Sequence, residues 1–423
     1  MVDYHLVILV HGIWGNSSHL AYIEKQLNEH IKPTDGSKLL VHKTGSHSGY
    51  LTYDGIDVNG KRICDEIREE VQMVQNEGNR VTKFSIVGYS LGGLISRYAI
   101  GILYSQGFFK EVEPINFVTF CTPHIGVSNP QTHNLSVRIY NKTAPFFLLT
   151  TGSQFFLRDH VGTHKKPLIA WMADPNSQFY AALKSFKYRS LYANVVNDKR
   201  CSWFTASITP GDPLNSMYNK SPKNIICEYI KGYEPNVIDY TKPLHYEKKD
   251  GDEPASKPRF SGFWKTLNWL RIIGNVIVHT PFWALSFVIT SIVEKIKSMS
   301  RLRKFNSQLS NRLSHLHEYH EDTSLLTDFS NKLEDDQDNL VEDVYGAMNW
   351  KVEHSAKFPK IKLDANQSFA VEKLNTLGWK KYPVILRHTP ATHAGAIVRH
   401  ADPNFDEGKV VVRHFINEVF KLE

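Results

Sequence analysis

Apolar residues gather along this chain in two rhythms. Mainly apolar runs of strand length, without charged residues, occur at His5 to Val10, Phe84 to Val87 and Ile115 to Cys121. With no polar face left to meet water, such runs suit strands buried on both sides of a parallel sheet. A strand is also expected near Leu39 to His42, another over Tyr188 to Val196, and a last one over Tyr382 to Leu386. Between them the spacing lengthens to that of a helix. Ile63, Ile67, Val71 and Val74 recur on one helical face. Ser17 or Ser18 can cap a helix running to about His30. Residues 129–187 read as helical and aromatic-rich, with Phe146 to Leu149, Phe155 to Leu157 and Phe179-Tyr180 expected in the core. Ala370, Leu374 and Leu377 mark a later helix, and Val410 to Phe420 a closing one. Strand–helix alternation of this kind predicts the α/β class, a parallel sheet with right-handed crossovers. Ligands of such sheets gather at the carboxyl ends of the strands.

The rhythm fails in the middle of the chain. Residues 210–262 are rich in Pro, Lys and Asp and have little periodicity, as expected of an insertion or loop. From Ile272 to Val293 there is then no Asp, Glu, Lys or Arg. That run is long enough to span a bilayer, which needs about 20 apolar residues, but Asn275, His279, Thr280 and Pro281 near its centre weaken a spanning helix. A buried helical hairpin is a second reading. The favoured one is a helix–Pro–helix segment over 263–304 that lies in or dips into one leaflet. Its aromatic residues and the flanking Lys265, Arg271, Lys295, Lys297, Arg301, Arg303 and Lys304 would sit at the interface. Acids cluster within 318–343, at Glu334 to Asp336, Asp338, Glu342 and Asp343, and are expected to form a solvated segment without chemistry. The organisation expected is a core made of 1–205 and 369–423, with 206–368 inserted before the last strand.

Composition narrows the picture a little further. A chain of 423 residues with 41% apolar content can bury one large core beside an insertion. The net charge of +7 is modest and spread out. It does not resemble a nucleic-acid footprint, but it favours anionic surfaces such as phospholipid head groups. Cys64, Cys121, Cys201 and Cys227 lie far apart, without the paired spacing of a zinc site or disulfide framework. No ligand cluster for a metal or organic cofactor stands out. Met1 to Val10 has no basic leader or small-residue cleavage site, so the core is expected to start at residue 1, in a reducing compartment.

Chemistry concentrates in Gly88-Tyr-Ser90-Leu-Gly92-Gly93, which follows an apolar strand and opens a helix. A serine held in that tight turn is lifted clear of the sheet, and Gly88 and Gly92 are needed because a Cβ would collide with neighbouring backbone. Ser90 is therefore the candidate nucleophile. The loop His11-Gly-Ile-Trp-Gly15 after the first strand suits one oxyanion donor, the amide of Ile13, and the residue after the nucleophile, Leu91, supplies the second. His11 itself is read as structural. In the order serine, acid, histidine, the acid belongs at the end of a late strand. Asp198 fits that place better than Asp159, Asp174 or Asp212, none of which closes a convincing strand. For the base, His388, His393 and His400 compete after the last strand, and His393 is favoured because it stands at a loop-to-helix transition past Pro390. His124 comes too early in the order and is expected in the pocket wall.

These residues, taken together, resemble a known family. His5 to Asn16, Asp54-Gly-Ile-Asp57 with Gly60-Lys-Arg62, the Ser90 elbow, Thr122-Pro-His124-Ile-Gly126, Asn197-Asp198 and His393-Ala with Ile397-Val-Arg399 occur in the order of serine esterases and lipases of the α/β-hydrolase fold. The shorter yeast members, which are similar to lipid-droplet phospholipases, come nearest. The likeness covers 1–205 and 370–423, and many relatives carry His where this chain has Tyr89, a change not expected to affect the nucleophile. The resemblance implies an α/β-hydrolase with a triad of Ser90, Asp198 and His393, needing no cofactor. It further implies hydrolysis of fatty acyl esters of glycerophospholipids at a membrane or lipid-droplet surface, on a lipid droplet or the cytosolic face of an intracellular membrane. A monoacylglycerol or triacylglycerol lipase is the alternative; a catalytically inactive lipid-surface scaffold and a soluble thioesterase or small-ester esterase are weaker ones.

Overall fold

The computed structural model describes residues 1–128, 135–161, 165–195, 198, 200–210, 225–242, 245–246, 292–293, 295–303 and 363–423. The chain divides into two units, Met1–His245 with Glu321–Glu423, and Tyr246–His320.

The apolar runs of the first unit become a parallel sheet. Its strands are β1 (Asp3–Val10), β2 (Lys38–Lys43), β3 (Arg80–Tyr89), β4 (Glu113–Phe120), β5 (Tyr188–Asn194) and, after the short β6 (Ile225–Ile226) and β7 (His245–Tyr246), β8 (Lys380–Val384). They lie in the order β2-β1-β3-β4-β5-β8, and every neighbouring pair is parallel. This is the α/β-hydrolase arrangement expected, with the carboxyl ends of all six strands on one edge. Residues of each central strand alternate between two cores. Leu6, Ile8, Val10, Ile86 and Phe117 face one, while Val7, Leu9, Val87, Val118 and Phe120 face the other. A strand buried on both sides shows no polar alternation, and the few polar residues in these runs, Ser85 and Asn116 among them, are buried and hydrogen-bonded to each other. Each such Leu, Ile or Val contributes roughly 1.5–3 kcal/mol by its burial.

Helices cover both faces. On the first lie α2 (Ile56–Asn76), α3 (Leu91–Ser105), α6 (Leu168–Trp171), α7 (Gln178–Ser185) and α9 (Ala365–Asn375); on the second lie α1 (Ala21–His30) and α11 (Asp406–His414). The remaining ones are α4 (Leu135–Phe147), α5 (Leu149–Phe155), α8 (Trp203–Ala206) and α10 (Thr392–Gly395). The start of the first helix differs from expectation. Asn16 is the cap, its side chain accepting from the Ser18 amide, and a 3-10 turn over Ser17–Leu20 precedes α1. Asn can accept that bond as well as Ser, and its carbonyl also holds the Ser18 hydroxyl at 2.5 Å. The closing helix likewise changes pitch, from α11 into a π turn over Phe415–Val419.

Residues 225–242, inside the stretch read as an insertion, are hydrogen-bonded to the core. Val237 bridges Val384 in antiparallel fashion, and the Ile238 amide donates to the Pro383 carbonyl at 2.9 Å. They cover the free side of β8, which would otherwise offer unpaired backbone groups. In the second unit, 292–293 and 295–303 are helical, with Ile296 and Met299 exposed. No helix among the described residues is long and apolar enough to cross a membrane. The rest of the 263–304 segment, and the acidic 318–343 stretch, lie outside the described residues.

Candidate active site

At the carboxyl end of β3 the chain turns into α3 with a single residue between them. That residue, Ser90, has φ 54° and ψ −125°, backbone that a side-chain-bearing residue adopts only when its surroundings enforce it. Here the enforcement is steric. A Cβ on Gly88 would collide with the backbone of Gly92 and Gly93, and one on Gly92 with the carbonyls of Val10 and His11. The Ser90 amide donates to the Phe120 carbonyl at 2.8 Å, which pins the turn to the neighbouring strand end. Leu91 is the first residue of α3, so its N–H precedes the first intrahelical hydrogen bond.

The loop after β1 packs directly on this turn. A Cβ built on Gly12 would stand 2.8 Å from the Ser90 Cβ, so Gly12, one residue before Ile13, lies directly against the serine. Behind the loop, the His11 and His47 rings stack at 3.8 Å, both fully buried. Burial pushes both imidazoles well below their usual pKa, with His47 adding to the effect on His11 and Arg62 to that on His47, so the pair packs as neutral rings. His11 is structural, as expected. Trp14 donates its amide to Thr52 Oγ1 at 3.1 Å and Gly49 donates to the Gly15 carbonyl at 2.8 Å, which tie the loop to 49–54. That stretch is anchored by the Asp54-Gly-Ile-Asp57 and Gly60-Lys-Arg62 residues. Arg62 reaches the buried Asp54 carboxylate at 2.7 Å, and Asp57 accepts from Gln154 of α5 at 2.8 Å. The segment before it is held by Glu66, which accepts from the Gly45 and Ser46 amides and from His42. Burial alone would lower the His42 pKa, but the Glu66 and Glu70 carboxylates outweigh it and raise it to about 9.

Asp198 and His393 meet although 195 residues separate them. His393 Nδ1 donates to Asp198 Oδ2 at 2.9 Å, with Oδ1 at 3.1 Å. Asp198 also accepts from Asn194 Nδ2 at 3.0 Å and from the amides of Arg200 and Cys201 at 3.1 and 2.8 Å. Burial pushes its carboxyl pKa up; the histidine and these donors more than offset that, so the net shift is downward and the group stays ionised. Tyr89, next to Ser90, donates to the His393 carbonyl at 3.2 Å, and the two rings lie 5.1 Å apart. His393 is thereby held beside the elbow, and both Ser90 and His393 are less than a tenth exposed.

The competing histidines and acids have other work. His388 is exposed and pairs with Asp406 at 3.1 Å; His400 packs on Phe405. Asp174 binds Lys166, and Asp159 accepts the Leu168 amide. Asp212 lies outside the described residues, as do Val196 and Asn197 beside Asp198. His124 corrects an expectation. It is fully buried, hydrogen-bonded to Thr119 at 2.9 Å and packed on Trp379, and so belongs to the core and not to a pocket wall. Phe146 is a second correction, for α4 turns it outward and leaves it 52% exposed.

Two residues at the site carried no signal that the sequence reading used. Cys121, read only as a distant cysteine, follows β4 directly, with its sulfur within 4.8 Å of ligand atoms of Asp198 and His393. Burial first, and then the Asp198 charge, raise its thiol pKa well above normal, so it is an uncharged filler against the acid. Asn194 is the other. Only its position, four before the acid on the same strand end, could have pointed to it.

The family model described as Putative serine esterase (DUF676) matches residues 2–208. A Schizosaccharomyces pombe protein named Putative lipase C4A8.10 is 30% identical over 273 residues, covering 60% of this chain and 34% of that one. Putative lipase ROG1 of Saccharomyces cerevisiae is 34% identical over 211 residues, covering 48% of this chain and 28% of that one. The chain thus spans about a third of the length of these curated relatives. Among solved structures, phospholipase PlaB from Legionella pneumophila is similar at 15% identity and a TM-score of 0.27, over 46% of this chain and 38% of that one. An extracellular α/β-hydrolase from a Paenibacillus species gives 16% identity and a TM-score of 0.24, over 45% and 77%. At such scores these likenesses add nothing to the sheet order and elbow described above. Residues 2–208, which hold the loop after β1, the Ser90 turn and Asp198, are thus similar to the Putative serine esterase (DUF676) family.

Proposed function

We propose that this chain is a carboxylic ester hydrolase that works through an acyl-serine, with Ser90 as nucleophile, His393 as general base and acid, and Asp198 as its partner. The observation that carries the reading is the His393 Nδ1–Asp198 hydrogen bond at 2.9 Å, on a base held beside a serine in strained elbow geometry. With Nδ1–H engaged by the carboxylate, Nε2 is left with its lone pair and can take the Ser90 proton as the hydroxyl attacks an ester carbonyl. The amides of Ile13 and Leu91 stabilise the tetrahedral oxyanion; one such donor is typically worth about 3 kcal/mol. His393 then protonates the leaving alcohol and, in the second half, activates water to release the acid.

The substrate reading is an acyl ester of a glycerophospholipid at a membrane or lipid-droplet surface. Two features support a lipid. The curated relatives are named lipases, and α4, which follows the loop at the end of β4, turns Arg138, Ile139, Lys142 and Phe146 outward together. Two cations beside two large apolar side chains fit an anionic lipid interface better than water. Cleavage of acylglycerols is the second reading, favoured by the same apolar residues without the basic ones. Location on a lipid droplet or the cytosolic face of an intracellular membrane is part of this proposal. The test is fatty-acid release from vesicles of mixed phospholipid and neutral lipid, for wild type and Ser90→Ala. Serine-dependent release from phospholipid is expected. Release from acylglycerols alone would promote the second reading, and equal release by Ser90→Ala would overturn the mechanism.

A further inference from the structure

His393 rides on α10, a helix of four residues, which is too short to hold a catalytic side chain by its own hydrogen bonds. Two side chains outside the triad reach the backbone there. Tyr89 donates its hydroxyl to the carbonyl of His393 at 3.2 Å. Asn194 donates from Nδ2 to the carbonyl of Thr392 at 3.0 Å, and the same nitrogen donates to Asp198 Oδ2 at 3.0 Å. Tyr89 ends β3 one residue before the nucleophile, and Asn194 ends β5 four residues before the acid. Both are almost wholly buried, at 3% and 2% exposure.

We propose that Tyr89 and Asn194 are positioning residues for the general base, clamping the backbone of 392–393 to the strand ends that carry the nucleophile and the acid. The proposal rests on the reading of Ser90, Asp198 and His393 given above. An amide nitrogen has two hydrogens; its two nearer acceptors, at 3.0 Å each, are the acid and the base loop, with the Cys121 sulfur further off at 3.4 Å, so a single planar group ties the acid to the base loop. The Asn194 Oδ1 has no partner among the described residues, so the acceptors of Nδ2 alone set the amide's orientation. Reversed, its oxygen would face a carboxylate and a carbonyl. Tyr89 supplies the second point of attachment. Burial raises its phenol pKa, so it remains a donor through any pH at which the imidazole titrates. Neither group touches the reacting atoms in this arrangement; each acts through the placement of His393, where a shift of about 1 Å can cost on the order of 100-fold in rate.

The experiment compares wild type, Tyr89→Phe and Asn194→Asp by kcat and KM on p-nitrophenyl butyrate across pH, and by the downfield NMR resonance of the His393 Nδ1 proton. Tyr89→Phe, which keeps the ring, is expected to lower kcat about tenfold with KM changed by less than about twofold. Asn194→Asp is expected to lower kcat by about 100-fold. It should also move the acid limb of kcat/KM to higher pH, because a second carboxylate favours the protonated imidazole. In both variants the downfield resonance should broaden or shift. Asn194→Ser serves as the second variant should Asn194→Asp fail to fold, with the same loss of kcat and perturbed resonance expected but no shift of the limb. Wild-type kcat and an unchanged resonance in folded variants would overturn the proposal. If the wild-type protein cleaves no ester, the functional reading falls instead, and the resonance still decides the clamp: perturbed in Tyr89→Phe it supports the inference, unchanged it refutes it.

Discussion

Ser90 and His393, the proposed nucleophile and base, are held by opposite means. Ser90 is fixed by excluded volume: a strand, one strained residue and a helix, with Gly88 and Gly92 pressed against backbone that cannot move aside. His393 is fixed by hydrogen bonds, to Asp198, to Tyr89 and, through Thr392, to Asn194, on a four-residue helix reached from β8 through a loop. Even the start of that loop is bonded in place, since Glu407 of α11 accepts the amides of Arg387 and His388. Packing of the first kind is all or nothing, because a close-packed interior has nowhere to put an added methyl. Hydrogen bonds can be removed one at a time, each at a modest net cost. The elbow should therefore fail by losing the fold, and the base arm by losing rate.

The largest effect should come from the elbow glycine. Gly92→Val places two methyls against the Val10 and His11 carbonyls, a backbone clash with no flexible side chain to yield. Overpacking of this kind typically costs 1–3 kcal/mol, and we expect it to exceed about 3 kcal/mol here. Circular dichroism melts would show it as a broad loss of the cooperative transition. A variant that melts like wild type would mean the turn is softer than its contacts imply. Next comes Asp198→Asn, which belongs to the arm. It keeps the size of the side chain and loses the charge that orients the imidazole, so ester turnover should fall by about 10³- to 10⁴-fold while the melting temperature moves little. An unfolded Asp198→Asn would blur the contrast, because the arm would then be a folding element as well.

How much of this could be read in advance follows from the same contrast. The elbow is local. Its strand, glycines and helix lie within one stretch of sequence, so period and motif suffice to place Ser90 and Leu91. The sheet was legible for a related reason, as strands such as β1 and β4 are buried on both faces and announce it as largely apolar runs without polar alternation. The arm is not local. Asp198 and His393 could be ranked by chain order, but Asn194 and Cys121 acquire meaning only when β4, β5 and α10 are brought together, which no spacing records. His124 was misplaced because a polar residue at a strand end looks the same whether it faces a pocket or turns back into the core to meet Thr119. Tyr89 was read as neutral for the nucleophile, and its contact is with the base, a residue 304 positions away.

A third region sharpens the comparison, because the loop after β1, the proposed oxyanion loop, combines both modes. Gly12 is pressed on Ser90, yet the loop's outer side is tied by polar groups, at whose far end Arg62 meets the fully buried Asp54. Breaking a buried pair leaves one charge without its compensation, so Asp54→Asn should lose about 3 kcal/mol in urea unfolding. Turnover in the folded fraction should fall too, since Thr52, which precedes Asp54 by two residues, holds the Trp14 amide beside Ile13. Full activity in that variant would show that packing on Ser90 alone keeps the Ile13 amide in place.

The smallest effect concerns the same loop from the side of β2, and it is set by pH. His42 lies between Glu66 and Glu70 at 2.9 and 2.8 Å, and Glu66 in turn holds the amides of Gly45 and Ser46 just before the buried His47. The pKa of His42 is about 9 in the folded chain against 6.5 in the unfolded one. A group whose pKa is raised by folding stabilises the protein fully below the unfolded value and ceases to do so as pH climbs through the folded value. The contribution is thus complete below pH 6.5 and lost by about pH 9–10. Lysines, tyrosines and thiols also titrate near the upper end of that window, so the useful quantity is the difference from His42→Gln, which cannot charge. Urea unfolding at pH 6 and pH 10 should show wild type more stable than His42→Gln at the lower pH and the gap nearly closed at the higher. A gap that stays constant would mean that the imidazole serves as a neutral hydrogen-bonding spacer. The loop behind Ile13 would then owe its position to Glu66 and its backbone donors alone.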